Sequence, residues 1–395
     1  MSGALKRDEW ETTKWYSLKD LSVTKLEYGS GASAIPYDED VRYLRITDIA
    51  VDGSLTEDFV SPNVYDSKYL LKEDDLLFAR TGATVGKTLL FKEKYGKCIY
   101  AGFLIRLVPN KDLVVPEYLY YFTKSPRYLA FVQKSMKVVA QPNINAKQYG
   151  DLKIPLPPLD VQRRIADTLD KVTELITLRK TQLKKLDELV KARFVELFGH
   201  QSHNEKNMPY GKIDDVAEIY LGLTHTPTYV ENGVKFISAK NTSCDYLDLS
   251  DVKYISREEF EKAPKGTKPQ IGDVLFSRVG SNLGHPVILD VDEELCTFVS
   301  LGFLRTKGQV TNVYLKHWMR DDFFAEQVAQ KVVGGGQPNL NTGWLKEFKI
   351  IIPPMALQNE FTIFVEQTDK SKVIIQQSLD TLETLKKSLM QEYFG

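Results

Sequence analysis

KIPLPPLDVQRRIADTLDKVTELITLR (Lys153–Arg179) and KIIIPPMALQNEFTIFVEQTDKSKVII (Lys349–Ile375) decide the fold. Each begins as a short apolar run, stops at a Pro-Pro pair and changes period. After Pro158, residues Ile165, Leu169, Val172, Ile176, Leu183, Leu186, Val190 and Leu197 alternate spacings of three and four, with Arg179 and Arg193 interrupting. After Pro354 the same frame holds Phe361, Val365, Thr368, Ile375, Leu379, Leu382, Leu389 and Tyr393, interrupted by Lys372 and Lys386. Apolarity sustained at this spacing predicts two coiled-coil helices. At 1.5 Å per residue each spans roughly 60 Å. Gly199 and Gly395 are placed as their C-caps. An antiparallel pair of such helices joins a globular segment at each end.

Outward from this stretch the chain repeats itself. QPNIN (Gln141–Asn145) returns as QPNLN (Gln337–Asn341), Gln162 as Gln358, and ELFG (Glu196–Gly199) as EYFG (Glu392–Gly395), all 196 residues apart. Between Gln141–Pro158 and its copy, 8 of 18 positions are identical. Upstream the offset drifts: DLLFAR (Asp75–Arg80) matches DVLFSR (Asp273–Arg278) at 198, GFL (Gly102–Leu104) matches GFL (Gly302–Leu304) at 200, and RYLRITDI (Arg42–Ile49) resembles KFISAKNT (Lys235–Thr242) at 193. The expected division is 1–155 and 200–351 as two similar mixed α/β domains, with 156–199 and 352–395 as the long helices. Two copies in one chain imply a pseudo-two-fold α+β object.

Within each copy the coarse pattern is the same. Strand-like runs fall at Tyr43–Ile46, Leu76–Ala79 and Ile99–Val108, and again at Val234–Ser238, Val274–Ser277 and Phe298–Arg305. Helical stretches follow at Glu117–Lys137, interrupted at Pro126, and at Val313–Val332.

Composition excludes several classes. With 395 residues, 52 Lys+Arg and 53 Asp+Glu, the chain is neither a polybasic nor an acidic solvating protein. No run reaches the length of a membrane span, and the N-terminus shows no secretory pattern, so a cytoplasmic location is expected. Cys98, Cys244 and Cys296 lie far apart, without a disulfide or zinc pattern.

The motif nearest to catalysis is Gly82-Ala-Thr-Val-Gly86-Lys87-Thr88. A P-loop needs four residues between its first glycine and Gly-Lys; here there are three. The second copy, Gly280-Ser-Asn-Leu-Gly284-His285-Pro286, has no lysine. Both read as tight surface loops. No catalytic, cofactor-binding or metal-ligating cluster stands out, so no enzyme activity is expected.

QPNIN and QPNLN carry amides that suit adenine, but they also suit a loop that satisfies its own backbone, and the second reading is preferred. If the halves read different sequences, shared residues set scaffold or phosphate contacts, and divergent ones set base readout. The candidate nucleic-acid contacts are Arg42, Arg45, Arg80, Thr81, Thr84 and Lys87 in the first half. In the second they are Lys235, Lys240, Asn241, Arg278, Ser281 and Asn282. The shared Arg80 and Arg278 are expected to act alike.

Taken together, Lys153–Gln162, Lys349–Gln358, the heptads after them and the D-L/V-L-F-x-R strands resemble the specificity subunits of type I restriction-modification systems. One departure is Pro-Met-Ala-Leu-Gln in the second copy, where the family has Pro-Leu and an acidic residue before Gln. The resemblance implies a non-catalytic, DNA-binding subunit. Each variable domain is a target recognition domain reading half of a split, asymmetric site, and the helices set the gap. Implied partners are double-stranded DNA, two methyltransferase subunits and a restriction/translocase subunit; S-adenosylmethionine, ATP and Mg²⁺ belong to those partners. The alternative class is a helical scaffold that holds two protein ligands apart without binding DNA.

Overall fold

The computed structural model describes residues 13–136, 142–280, 282–331 and 339–395. The chain forms two units, Met1–Lys180 with Gln376–Gly395, and Thr181–Ile375.

Unit one is organised on a four-stranded antiparallel sheet. Its order is Glu27–Tyr28, Leu104–Leu107, Leu76–Ala79, Thr88–Leu90. Beside it Arg42–Leu44 pairs in parallel with Cys98–Tyr100, and Lys14–Ser17 pairs with Lys153–Leu156. Unit two repeats this plan. Its sheet runs Ala217–Leu221, Leu301–Thr306, Val274–Ser277, Pro286–Ile288, and Val234–Ile237 lies parallel to Leu295–Thr297. The central strands Leu76–Ala79 and Val274–Ser277 are buried throughout, as apolar runs covered on both faces must be.

The repeat offsets are tested by the pairing. At 193 the match holds: the Arg45 N–H donates to Asp48 at 2.7 Å as the Ser238 N–H donates to Asn241 at 2.9 Å. The GFL match at 200 does not. Leu76 faces Leu107 and Val274 faces Leu304, which makes Leu304 the structural counterpart of Leu107 at an offset of 197. Phe103 therefore corresponds to Ser300. The Arg80 N–H donates to the Phe103 carbonyl at 3.0 Å, and the Arg278 N–H to the Ser300 carbonyl at 2.9 Å.

Two predicted runs are broken. Ile99–Val108 splits into Cys98–Tyr100 and Leu104–Leu107 because the chain turns at Ala101–Phe103 to cross between sheets, the Gly102 N–H donating to Ser30 O at 2.7 Å. Phe298–Arg305 likewise begins as a turn before Leu301–Thr306. The helical stretches become Pro116–Phe122 and Pro126–Met136, then Asn312–Trp318 and Asp322–Lys331. In the second pair no proline breaks the helix. Asp321 instead caps the restart, accepting from the Phe323 N–H at 2.9 Å. The predicted helix ends Lys137 and Val332 lie outside the described residues.

The long helices run Leu159–Phe198 and Met355–Phe394. None of the helices described is long and apolar enough to cross a membrane. Gly199 closes the first at φ +73°, a conformation glycine adopts without strain. In each unit one helix segment packs antiparallel on the other. In unit one Arg179 donates to Ser378 at 3.2 Å and Lys180 meets Glu383 at 2.9 Å. In unit two Lys372 meets Asp187 at 2.6 Å, Arg193 pairs with Glu360, and Phe194 lies 5.5 Å from Phe361. Arg179, Arg193 and Lys372, three of the charged interruptions of the heptads, are thus rungs of the helix pair.

Each unit takes the end of one long helix into its core. Phe394 packs on Tyr118 (5.2 Å) in unit one, and Phe198 on Tyr314 (4.8 Å) in unit two. The equivalent tyrosines donate to Pro155 O and Ile351 O, both at 2.8 Å. This reciprocity explains why ELFG and EYFG recur.

Where each domain meets its helix, a glutamine is buried. Gln162, 1% exposed, accepts from the Val115 N–H at 2.8 Å and donates to Leu113 O at 3.1 Å and Pro157 O at 2.8 Å. Gln358, 0% exposed, accepts from the Thr311 N–H at 2.7 Å and donates to Gln309 O at 3.1 Å and Pro353 O at 2.8 Å. The Pro-Met-Ala-Leu departure before Gln358 leaves this joint intact.

Candidate nucleic-acid interface

The described asparagines Asn145 and Asn341 of the QPN loops serve as helix caps. Asn145 accepts from the Gln148 N–H at 2.9 Å and caps Ala146–Gly150; Asn341 accepts from the Gly343 N–H at 2.7 Å and caps Thr342–Lys346. The Ile144 N–H donates to Arg80 O and the Leu340 N–H to Arg278 O, which ties each loop to the strand carrying the shared arginine. Gln141 and Gln337 lie outside the described residues.

The glycine loops share their geometry. Gly82, Gly86, Gly280 and Gly284 all have φ between 69° and 88°. A side chain at Gly86 would meet Val132 at 2.7 Å, and one at Gly284 would meet Phe324 at 2.6 Å. These are tight turns against a helix, as the repeat predicts. Lys87 donates to Ile49 O at 2.9 Å, and its counterpart His285 lies 3.1 Å from Cys244 O. The two side chains pin equivalent segments. In unit two a cavity of about 370 Å³ lies beside this point, lined in part by His317, Arg320, Lys372 and Asp187. Its ions pair among themselves, Arg320 with Asp245 at 2.7 Å and Lys372 with Asp187 at 2.6 Å. Burial, with Arg320 and Lys316 close by, pushes His317 down to about 3, so the ring is neutral.

The remaining candidates fall into distinct groups. Arg42 is only 4% exposed: it donates to Thr56 O at 2.5 Å and stacks 4.0 Å from the Phe59 ring. Asn241 is buried too, its amide donating to Asp248 O and Asp251 O. These two side chains hold loops and do not face solvent, Arg42 at the start of its strand and Asn241 in the short helix Ala239–Thr242. Arg45 is engaged by Asp48 and Asp58, Lys235 by Glu293, and Lys240 by Asp251. Thr84 donates to Thr81 O at 3.1 Å, and Thr81 bridges to Asn143. Asn282 is exposed. Ser281 lies outside the described residues.

The shared arginines differ. Arg278 spends its guanidinium on Leu340 O (3.2 Å), Val299 O (2.9 Å) and Asn339 (3.5 Å), and burial lowers its pKa. Arg80 lies instead against aromatic rings, 4.8 Å from Tyr28 and 5.9 Å from Phe103.

Two units of one plan, differing in their loops and joined by long helices, can be compared with known proteins. Residues 38–188 and 205–384 match the type I restriction modification DNA specificity domain. The chain belongs to this family. Among its specificity-subunit relatives, the MjaVIII subunit of Methanocaldococcus jannaschii is 22% identical over 83% of this chain and 80% of its own length. The EcoKI subunit of Escherichia coli K12 is 21% identical over 85% and 77%. The type I restriction-modification S subunit from M. genitalium shares the fold at a TM-score of 0.58 and 15% identity, over 100% of this chain and 99% of that one. A chain from a type I R-M system studied for complex assembly aligns at 0.58 and 18% identity, over 96% and 97%. The α+β specificity-subunit fold expected from the resemblance is the one observed, and the DNA specificity domain occurs twice.

The sequence reading passed over Phe103 in this specificity fold. The chance GFL identity assigned it to the buried Phe303. The apolar strand beginning at Leu104 was the better guide.

Proposed function

We propose that each unit reads one half of a split, asymmetric DNA site, and that the long helices set the gap between the halves. The observation that supports this most directly is one scaffold used twice with different surface loops. Scaffold residues coincide by position and bond, Gln162 with Gln358 and Tyr118 with Tyr314, and Asn145 coincides with Asn341 as a helix cap. Loop residues do not, Phe103 standing where the second copy has Ser300. Identical scaffolds hold different readers in one register.

The chain supplies recognition, and its partners supply chemistry. Two methyltransferase subunits bring S-adenosylmethionine, and a restriction/translocase subunit brings ATP and Mg²⁺. This chain itself turns over none of these substrates, and the complex works in the cytoplasm. Apolar side chains left exposed on the helices suit partner docking: Leu175, Leu178 and Leu385 in unit one, Leu189, Ile363 and Ile374 in unit two. A chain near neutrality leaves part of the phosphate neutralisation to those subunits. Methylome sequencing of a host with and without this gene tests the reading. Loss of one bipartite methylated motif with the gene is the expected result. An unchanged methylome, with the methyltransferase partner present, contradicts it and leaves the scaffold class.

A further inference from the structure

Arg80 and Arg278 are the same residue at the same place in the two copies. Each backbone N–H donates to the turn before the neighbouring strand (Phe103 O, Ser300 O), and each carbonyl accepts from the QPN loop. Identity of residue and position led to the expectation that they act alike. Their side chains do not.

The guanidinium of Arg278 is consumed by two carbonyls and an amide oxygen within its own unit. No described residue accepts a hydrogen bond from that of Arg80, and its Nε is buried without an acceptor. Its neighbours are the rings of Tyr28 and Phe103, themselves 42% and 54% exposed. In the second copy the strand register puts Leu221 and Ser300 at these places.

The flanking rings are held firmly. A Cβ at Gly29, next to Tyr28, would lie 2.3 Å from the Tyr100 and Ala101 carbonyls, so only glycine permits this close approach. The Tyr28 hydroxyl accepts from the Ala146 N–H at 3.0 Å. Phe103 sits in the turn to which Arg80 is itself bonded. Rings of this kind hold a cation in place without using its N–H groups.

Among the candidate cations Arg80 is set apart. Arg45, Lys235 and Lys240 carry carboxylate partners, and Arg42 and Lys87 donate to carbonyls. Binding DNA through any of these breaks an existing bond; binding through Arg80 breaks none.

We propose that Arg80, held by Tyr28 and Phe103, donates a forked pair of hydrogen bonds to DNA, and that Arg278 is a scaffold residue with no such contact. The ligand is a pair of adjacent acceptor oxygens or nitrogens of the kind that a guanidinium fork matches. Both guanine O6/N7 in the major groove and a backbone phosphate supply one. The inference rests on the DNA-reading function proposed above, and goes beyond it by making the two readers unequal at a shared residue.

The test uses the chain assembled with its methyltransferase partners and duplexes carrying the motif lost from the gene-deleted host. Arg80→Ala, Arg80→Lys, Tyr28→Leu/Phe103→Ser and Arg278→Lys are compared with the natural chain, each first checked for an unaltered melting profile of the unit that carries the substitution, unit two for Arg278→Lys and unit one for the others. We expect Arg80→Ala and the ring double variant to weaken binding about 5- to 100-fold, Arg80→Lys to recover only part, and Arg278→Lys to leave affinity within about twofold. A loss confined to the first half-site, with methylation relaxed at one base pair, assigns the contact to guanine. A uniform loss over all duplexes, with the salt slope reduced by about one, assigns it to phosphate. If the natural complex binds its motif and all Arg80 variants match it within twofold, Arg80 makes no contact and the inference is overturned alone. If the natural complex binds no motif, the DNA-reading function falls with it.

Discussion

Replacing Gln162 with leucine loosens unit one by about 3 kcal/mol and leaves unit two at its natural stability; Gln358→Leu does the reverse. Leucine fills nearly the same volume, so packing is conserved and the loss is polar. Each substitution strands one backbone N–H and two carbonyls at a point sealed from water. A buried group without its partner costs about 1–3 kcal/mol, and carbonyls with a second interaction cost less. The selectivity follows from the contacts, since the partners of Gln162 all lie in unit one and those of Gln358 in unit two. Amide hydrogen exchange reads this directly. Protection should fall around residues 113–115 and the start of the first long helix in one variant, and around 309–311 and the start of the second in the other. Equal loss in both units would show that they unfold as one body.

Seven residues inserted into both long helices, after Lys180 and after Ile375, should lengthen the gap in the methylated motif by about three base pairs. Seven residues add roughly 10 Å of helix at 1.5 Å each, and one base pair occupies about 3.4 Å. A heptad preserves the apolar frame, so the pairing survives when both helices gain it. An insertion in one helix alone sets Lys180 against the wrong turn and parts Glu383 from it, and the same holds for Lys372 and Asp187. That variant should lose cooperative melting and methylation together. An unchanged gap in the doubly extended chain would show that the helices do not measure distance.

The duplication was legible because each copy spends identical residues on the same internal bonds. The heptads were legible because their apolar positions are buried or half-buried along both helices. Much of what the sequence hid depends on partners elsewhere in the chain, and one break depends on a local cap. The run from Ile99 to Val108 looks continuous, since the turn at Ala101–Phe103 carries one glycine and no proline; pairing with two different sheets breaks it. The split at Met319–Asp321 depends on one aspartate cap. Lys235 and Lys240 read as groove-facing cations, yet Glu293 and Asp251 meet them from other loops. Arg80 and Arg278 are indistinguishable in sequence. Their surroundings set them apart: Tyr28 and Phe103 in one copy, Leu221 and Ser300 in the other.

The most direct test of two independent readers on a shared scaffold is an exchange. Residues 1–155, which end just before the helix begins at Leu159, are replaced by the corresponding domain of a specificity subunit with a different motif, and the methylome of the host is sequenced. The account predicts a hybrid motif: a new first half, the original second half and the original gap. A motif altered in both halves, or altered in neither, would contradict it.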